Sequence, residues 1–353
     1  MYYIAVVQFV FTTGFYISDM KNSNLQAMLE KFSDCRIAVI GDLMIDSYIW
    51  GVVERISPEA PVPVVQVSKT SCCLGGAANV MRNIVTLGGE VDAFGLVGND
   101  SNGGLIRQLL REYRIDPDGV LTDSDRPSIR KERVIAGSQQ LLRIDYETPT
   151  PASENLRSEL AAKVKAHLAA GRVQALIIED YAKGLFSQAM VQDLIDCANK
   201  YNVITVLDPN PRNPMQLTGL TVMKPNRSEA FAMAGLPQTT QKGDATQDKS
   251  LQQVAEIIMK KWQVKHLLIS LAAQGMALFN TDGSCTVIPT RAREVYDVSG
   301  AGDTVVATAA LAMAAGADAS SAAELANYAA GVVVRKLGTA TVSADELREA
   351  INE

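Results

Sequence analysis

Arg36-Ile-Ala-Val-Ile-Gly41-Asp42 sets the architecture. Between Arg36 and Gly41 no polar residue interrupts the run, so an extended segment here is apolar on both faces. Such a strand is buried on both sides, as in the centre of a parallel sheet. Runs of the same kind recur at 173–178, 203–207, 220–223 and 266–271. Between them lie amphipathic segments of helix length at 76–87, 105–113, 153–170, 187–201 and 252–262. This alternation predicts a three-layer α/β fold with a mostly parallel central sheet. Ligands in such folds sit beyond the carboxyl ends of the strands. Asp42, Asp46, Asp180, Asp208 and Asn226 all fall there.

Two regions break the alternation. Residues 47–51 with 62–68, and 128–136 with 139–147, show period-two polarity, and Gly137-Ser138 is a hairpin signal between the latter two. They predict a small four-stranded sheet that projects from the main domain, covering a site or pairing with another copy. Residues 237–250 are polar and aperiodic, and predict an exposed loop.

The 353 residues accommodate one large domain or two smaller ones. A net charge of −6 argues against a nucleic-acid surface. Five cysteines, without a CxxC pair and odd in number, read as structural thiols of a reduced, cytoplasmic protein. His167 and His266 lie in no metal motif. Residues 2–18 are uncharged and apolar, but lack a basic flank and a clear cleavage site, and are short for a membrane span. They read as an upstream start or a disordered extension, with a membrane anchor as the lesser alternative. The expected division is an N-terminal extension over 1–33, a main domain over 34–345 with its lid at about 47–68 and 126–147, and a tail over 346–353. The folded domain is expected to begin near Lys31.

The chemistry concentrates in Asp297-Val-Ser-Gly300-Ala-Gly302-Asp303-Thr304, which opens the apolar helix 305–313. First-turn N–H groups of a helix lack intrahelical partners and carry the positive end of the macrodipole. Gly300 and Gly302 let that backbone approach an anion. Asp303 repels a phosphate bound there, so it suits accepting a proton from the group that attacks the phosphate. The alternative is a turn with an acidic helix cap. A P-loop, a complete dinucleotide fingerprint and the protein-kinase motifs are all absent from the sequence.

Four motifs in order complete the pattern: Gly41-Asp-Leu-Met-Ile-Asp46, Gly75-Gly76-Ala-Ala-Asn79, Lys224-Pro-Asn226-Arg-Ser-Glu229 and Gly300-Ala-Gly-Asp303. Together they resemble the ribokinase-like (PfkB) sugar kinases over about residues 34–345. Within that family, Arg55-Ile-Ser-Pro-Glu-Ala-Pro-Val-Pro-Val-Val65, Ala136-Gly-Ser-Gln-Gln-Leu-Leu-Arg-Ile-Asp145 and Asp180-Tyr-Ala-Lys-Gly184 resemble the kinases of bacterial heptose synthesis. The resemblance implies a ribokinase-like fold with a β-sheet lid. It also implies ATP-dependent phosphorylation of a heptose 7-phosphate at C1, with Mg²⁺ and, left open, a monovalent cation. Many such proteins carry a fused nucleotidylyltransferase, and this chain has no His-x-Gly-His.

By the same resemblance Asp303 is the general base, and Gly300, Ala301 and Gly302 offer N–H groups to the transferred phosphoryl. Asp46 grips sugar hydroxyls. Asp42 either joins it or caps a turn. Gly75 and Gly76 admit the sugar or serve the backbone alone, Asn79 donates and accepts, and Asp180 lies at the sugar site. Asn226 and Glu229 organise Mg²⁺ through water and the nucleotide phosphates, or simply start a helix. Ser270 and Gly275 belong to the nucleotide loop, and Asn327 borders the base or is solvated. Two or three of Arg130, Lys131, Arg133, Arg143 and Lys183 hold the remote phosphate, the others pairing with Glu132 or Asp145. Lys131 and Arg133 share one strand face, with Arg130 on the other. Two departures stand out: Ala272 replaces a glycine in Ser270-Leu-Ala-Ala-Gln-Gly275, and Asp208-Pro-Asn210 lacks a cation usual at its last position. The expected partners are a sugar phosphate, ATP and a second copy of the chain through the lid, with neither nucleic acid nor membrane.

Overall fold

The computed structural model describes residues 22–137, 139–239, 245–292 and 294–353. A helix over residues 22–29 (α1) leads into β1 (Arg36–Gly41), β2 (Leu43–Ile56), β3 (Pro63–Gly76) and α2 (Ala77–Thr86). Next come β4 (Glu90–Gly98), α3 (Ser101–Glu112), β5 (Val120–Asp123), β6 (Ile129–Ala136) and β7 (Gln139–Tyr146). The alternation resumes with α4 (Glu154–Ala169), β8 (Ala175–Glu179), α5 (Gln188–Lys200), β9 (Ile204–Asp208), β10 (Val222–Met223) and α6 (Arg227–Ala234). The chain continues through α7 (Lys249–Trp262), β11 (His266–Ser270), β12 (Met276–Asn280) and β13 (Cys285–Ile288), then α8 (Ala301–Ala314), α9 (Ala319–Val333) and α10 (Ala344–Asn352).

The main sheet has nine strands in the order β13-β12-β11-β10-β9-β8-β1-β4-β5. It is parallel from β5 to β11; at the far edge β12 pairs antiparallel with β11, and β13 antiparallel with β12. Alternation along β1 explains the layers. Ile37 and Val39 join Val80 and Met81 of α2, Leu311 of α8 and Leu325 of α9 on one side. Ala38 and Ile40 join Leu160 of α4, Leu194 of α5 and Ile258 of α7 on the other. A strand feeding two cores has no polar face, which is why its sequence does not alternate. Ser153 and Ser187 set the starts of α4 and α5, each accepting the N–H three residues on.

The lid is a four-stranded sheet in the order β3-β2-β6-β7, with β2 and β6 parallel at its centre. β6 and β7 match expectation within a residue, whereas the other two strands are longer: β2 begins directly after Asp42 and β3 runs to Gly76. Asp46, Gly75 and Gly76 therefore sit on lid strands rather than in loops. The turn at Gly137 has φ +61°, and its neighbour Ser138 lies outside the described residues. Strands β4, β5, β12 and β13 add to the expected runs, although Ala93–Val97 of β4 and Met276–Phe279 of β12 are apolar; β5 and β13 are edge strands of four residues each.

The packed chain reaches back beyond the expected start near Lys31. Leu25 and Leu29 of α1 are buried in the first core, and Asn22 donates to the Ile351 carbonyl at 3.1 Å. The apolar 2–18 stretch lies outside the described residues. The region 237–250 is not wholly an exposed loop either. Ala245 is buried, and Asp248 caps α7 and pairs with Arg227 at 2.7 Å. No described helix is long and apolar enough to cross a membrane.

Candidate active site

Asp303 lies in the first turn of α8, beyond the carboxyl ends of the parallel strands, and is buried. Gly300, at the helix cap, has φ +77°, and a Cβ there would come 2.8 Å from Asn79 Nδ2. Only glycine allows both the left-handed turn and that approach. Asn79 Nδ2 donates to Asp303 Oδ2 at 2.7 Å, and the Tyr181 hydroxyl donates to Asp303 Oδ1 at 2.8 Å. Burial raises the Asp303 pKa, against these two donations and the nearby Lys224, which lower it. A raised carboxyl suits a base that must take up a proton near neutral pH. Asn79 Oδ1 is buried without a partner, an acceptor left beside the base.

The anion-binding end of α8 differs from the expectation in one detail. The Ala301 amide donates to the Val298 carbonyl at 3.2 Å, closing the turn, and is withdrawn from the cradle. The Gly302 and Asp303 amides remain as first-turn donors without intrahelical acceptors. Lys224 completes this end: a Cβ on Gly302 would sit 3.1 Å from its ammonium. Lys224 is itself buried, paired with Asp208 at 2.6 Å. Burial lowers the pKa of an ammonium, but Asp208 and Glu179 more than offset this, so the Lys224 pKa is raised and it stays charged. Sequence alone gives Lys224 no role, although it opens the Lys224-Pro-Asn226 motif.

Asp46 is gripped from two sides, by Arg133 at 2.5 Å and by the Thr339 hydroxyl at 3.1 Å. Tyr48 accepts from the Thr339 amide at 3.0 Å, tying the lid to the loop before α10. Thr339 is invisible in the sequence because it comes from a distant loop with no motif of its own. Gly75 backs Asp46: a Cβ there would fall 2.5 Å from Asp46 Oδ2. Gly76 has φ +56° and caps α2.

Asp42 takes the turn-capping alternative. Its Oδ2 accepts from the Tyr181 and Lys183 amides at 3.0 and 3.2 Å, so it anchors the 180–184 turn. Asp180 is likewise an anchor, accepting from the Ala182 amide and from Asn213 at 2.7 and 2.9 Å. Burial, then the charge of Asp180, pushes Asp42 up to about 7; burial pushes Asp180 up to about 6. The folded state therefore holds protons that the unfolded chain releases near pH 4, and stability falls as pH rises through these values. Between pH 6 and pH 8 Asp42 alone is expected to remove about 1 kcal/mol, lowering the melting temperature by about 2 °C. Thermal melts of Asp42→Asn, which cannot titrate, should lose most of that pH dependence.

The lid face that carries Asp46 also carries the expected cations. Register pairs Asp46 with Lys131, Tyr48 with Arg133, Lys131 with Asp145 and Arg133 with Arg143, so these side chains share one face. Lys131 contacts Asp145 and Glu147 at 3.4 and 3.3 Å, Lys183 contacts Glu147 at 2.6 Å, and Arg143 contacts Asp145 at 2.6 Å. Arg130 lies on the opposite face with Glu132 and Ser47 and is not part of this group.

The nucleotide-side residues are organised chiefly by backbone. Asn226 accepts from the Glu229 amide at 3.0 Å, and Glu229 accepts from the Asn226 amide at 2.7 Å, a reciprocal cap of α6. The pair is thus a helix start in this structure, with Ser270 bridged beside Asn226. Gly275, at φ +89°, admits the Ile288 carbonyl where a Cβ would clash. Ala272 adopts φ +51°, the left-handed conformation that the glycine it replaces would take freely. Asn327 is buried and donates to the Pro289 carbonyl at 2.7 Å; it is neither solvated nor free to face a base through that amide. The charges of Asp208, Glu179 and Glu229 all act on Lys224, with Asp208 in direct contact at 2.6 Å, and Glu179 Oε2 is buried with no partner. Hard oxygen donors of this kind suit Mg²⁺ with water retained between. Among the described residues, no group of three or more His, Cys, Asp or Glu side chains is placed to hold a metal directly.

The same architecture occurs in solved kinases. A ribokinase from Arabidopsis thaliana complexed with ribose and ATP superposes with a TM-score of 0.66 at 18% identity, covering 90% of this chain and 99% of that one. Phosphofructokinase-2 from Escherichia coli in complex with potassium gives 0.73 at 19%, covering 90% and 98%. In sequence, the bifunctional protein HldE of Syntrophotalea carbinolica is 37% identical over 332 residues, 94% of this chain and 66% of that protein. The HldE of Aliarcobacter butzleri is 39% identical over 313 residues, 89% and 63%. The chain thus spans just under two thirds of these curated relatives. The model of the pfkB family carbohydrate kinases matches residues 35–346, a span that runs from β1 through the Asp303 helix mouth and into α10, and the chain belongs to that family.

Proposed function

We propose that the chain transfers the terminal phosphoryl group of ATP to the C1 hydroxyl of D-glycero-β-D-manno-heptose 7-phosphate, giving the 1,7-bisphosphate used for ADP-heptose and lipopolysaccharide core. The observation that carries this reading is the presence of two anion-binding features, one beside Asp303 and one beside Asp46, whose charge is felt at Asp303. At one end, Asp303 sits at the mouth of α8 beside Lys224. At the other, Lys131, Arg133 and Arg143 share the lid face of Asp46, joined by Lys183 of the 180–184 turn, which shares Glu147 with Lys131. These four cations are matched by only three carboxylates, Asp46, Asp145 and Glu147, and the local excess of positive charge suits a phosphorylated sugar better than a neutral one. Arg suits phosphate through its planar fork.

In this mechanism Asp46 and Asn79 orient the sugar, and Asp303 takes the proton from the attacking hydroxyl. The Gly302 and Asp303 amides and the Lys224 ammonium hold the charge of the phosphoryl group as it passes in line between oxygens. Asn226 and Glu229 would hold Mg²⁺ through water; that ion supplies further neutralisation of the ATP phosphates. The reaction belongs in the cytoplasm, where thiols such as Cys35, Cys72 and Cys73, which form no disulfide, remain reduced. The lid sheet exposes Val53, Val67, Leu142, Ile144 and Tyr146, an apolar surface suited to the lid of a second copy.

Phosphorus NMR of the chain with ATP and heptose 7-phosphate tests the reaction. A new anomeric phosphate resonance coupled to the C1 proton is expected. Phosphorylation of ribose or a hexose phosphate in preference to the heptose would overturn the substrate assignment. Exchanging potassium for a bulky ammonium in the same assay reads the monovalent-cation requirement, and sedimentation of the chain reads the dimer.

A further inference from the structure

The five-residue turn after β8, Asp180-Tyr181-Ala182-Lys183-Gly184, is built more firmly than a connection requires. Ala182 sits at φ +55°, a conformation disfavoured for any residue with a Cβ. Gly184 is at φ +88°, where a Cβ would come 2.3 Å from the Thr150 carbonyl oxygen. Asp42 clamps the Tyr181 and Lys183 amides, and Asp180 clamps the Ala182 amide. Backbone strain held by two buried carboxylates needs something that gains from the shape. The side chain that gains is Tyr181, whose hydroxyl is delivered to Asp303 Oδ1 at 2.8 Å.

Resting on the kinase reading above, we propose that Tyr181 is the positioning residue for Asp303, aiming the base and holding it ionised until it takes the sugar proton. The geometry has three parts. Asn79 from α2 and Tyr181 from the turn each donate to a different oxygen of Asp303, so the carboxylate plane is fixed by two separate elements. Burial and the neighbouring Asp303 push the Tyr181 hydroxyl well above its usual range, so it keeps its proton and acts only as a donor. The turn itself is immobilised at both ends: Asp42 at its root and Lys183, paired with Glu147 at 2.6 Å, toward the lid. The other groups that act on Asp303 are Lys224, which favours its ionised form, and Asp46 of β2, which disfavours it. Glu179 of β8 and Asp208 of β9 stand behind Lys224.

Tyr181→Phe keeps the ring and removes only the donor. Its kcat is expected to fall about 10- to 100-fold, the cost of a misaimed base, with KM for both substrates within about twofold. The acid limb of the pH–rate profile should move up by about one unit, because the ionised carboxylate has lost a donor. The assay uses whichever sugar the wild type phosphorylates fastest, so the identity of the sugar does not enter. A second readout needs no turnover: carbon-13 carboxyl NMR titration of Asp303, assigned by its loss in Asp303→Asn, should show the same upward shift. If Tyr181→Phe fails to fold, 3-fluorotyrosine at position 181 replaces it; the more acidic hydroxyl donates more strongly and should move the Asp303 titration downward. An unmoved titration overturns the proposal, and so does a raised KM with unchanged kcat, which would make Tyr181 a substrate contact. If the wild type phosphorylates no sugar, the kinase reading falls, while the carboxyl titration still decides the role of Tyr181.

Discussion

Replacing Asp303 by Asn is expected to lower kcat by about 10³-fold, with KM for ATP and for the sugar changed by less than about threefold. The amide is close in shape to the carboxylate and takes no proton at neutral pH. Its surroundings also adapt. The amide oxygen of the variant continues to accept from Tyr181, and Asn79 can turn its partnerless Oδ1 toward the new NH₂ group. The loss therefore reports chemistry rather than unfolding. A melting temperature at or above that of the wild type is expected, because a buried carboxyl with a raised pKa has been removed. Steady-state rates and melts on one preparation check both halves. Turnover near that of the wild type would remove Asp303 from the mechanism.

Lys224→Met should damage both stability and rate. The ammonium is buried and neutralises Asp208 at 2.6 Å, with Glu179 fully buried beside it. Removing one partner of a buried pair leaves an uncompensated charge, typically worth about 3 kcal/mol. Part of that penalty is relieved when the carboxyls take up protons. The destabilisation measured by urea unfolding should thus be smaller at pH 6 than at pH 8. On the rate, the loss of a fixed positive charge beside Gly302 should cost about 10²-fold in kcat, as for removal of one donor from an anion hole. Equal unfolding free energies for variant and wild type at pH 8 would show that Lys224 is not the counter-charge of this cluster.

These two positions differ sharply in how legible they are. Asp303 stands out because an acid between two glycines and an apolar helix has a specific meaning in phosphoryl chemistry. Lys224 stands in a recognised motif, yet a lysine before Pro-Asn reads as well as a surface charge as it does a phosphate contact. Its neighbours Asp208, Glu179 and Gly302 come from three other elements, and only their convergence makes it a buried cation. Tyr181 and Thr339 belong to the same class.

The lid shows the reverse case. Period-two polarity places Lys131 and Arg133 on one strand face and Arg130 on the other, and the register bears this out. What periodicity does not carry is which strand lies beside which. The parallel pairing of β2 with β6 brings Asp46 opposite Lys131, and no local signal specifies it. Ala301 and Asn327 defeat a reading from sequence for a related reason: a backbone amide or a polar side chain has many possible partners, and the Val298 and Pro289 carbonyls that claim them arrive from neighbouring loops.

Layering, the parallel sheet, the lid strands and the acid at the helix mouth are thus legible in local pattern, because burial on one or two faces imposes a period that composition records. Which carboxylates anchor backbone and which face a ligand is settled by packing alone. Asp42 and Asp46 are four residues apart, one just before β2 and the other on it, and look alike as letters. They part company because the 180–184 turn folds over the first and the lid cations close on the second, and contacts between distant segments leave no trace in either one's own neighbourhood.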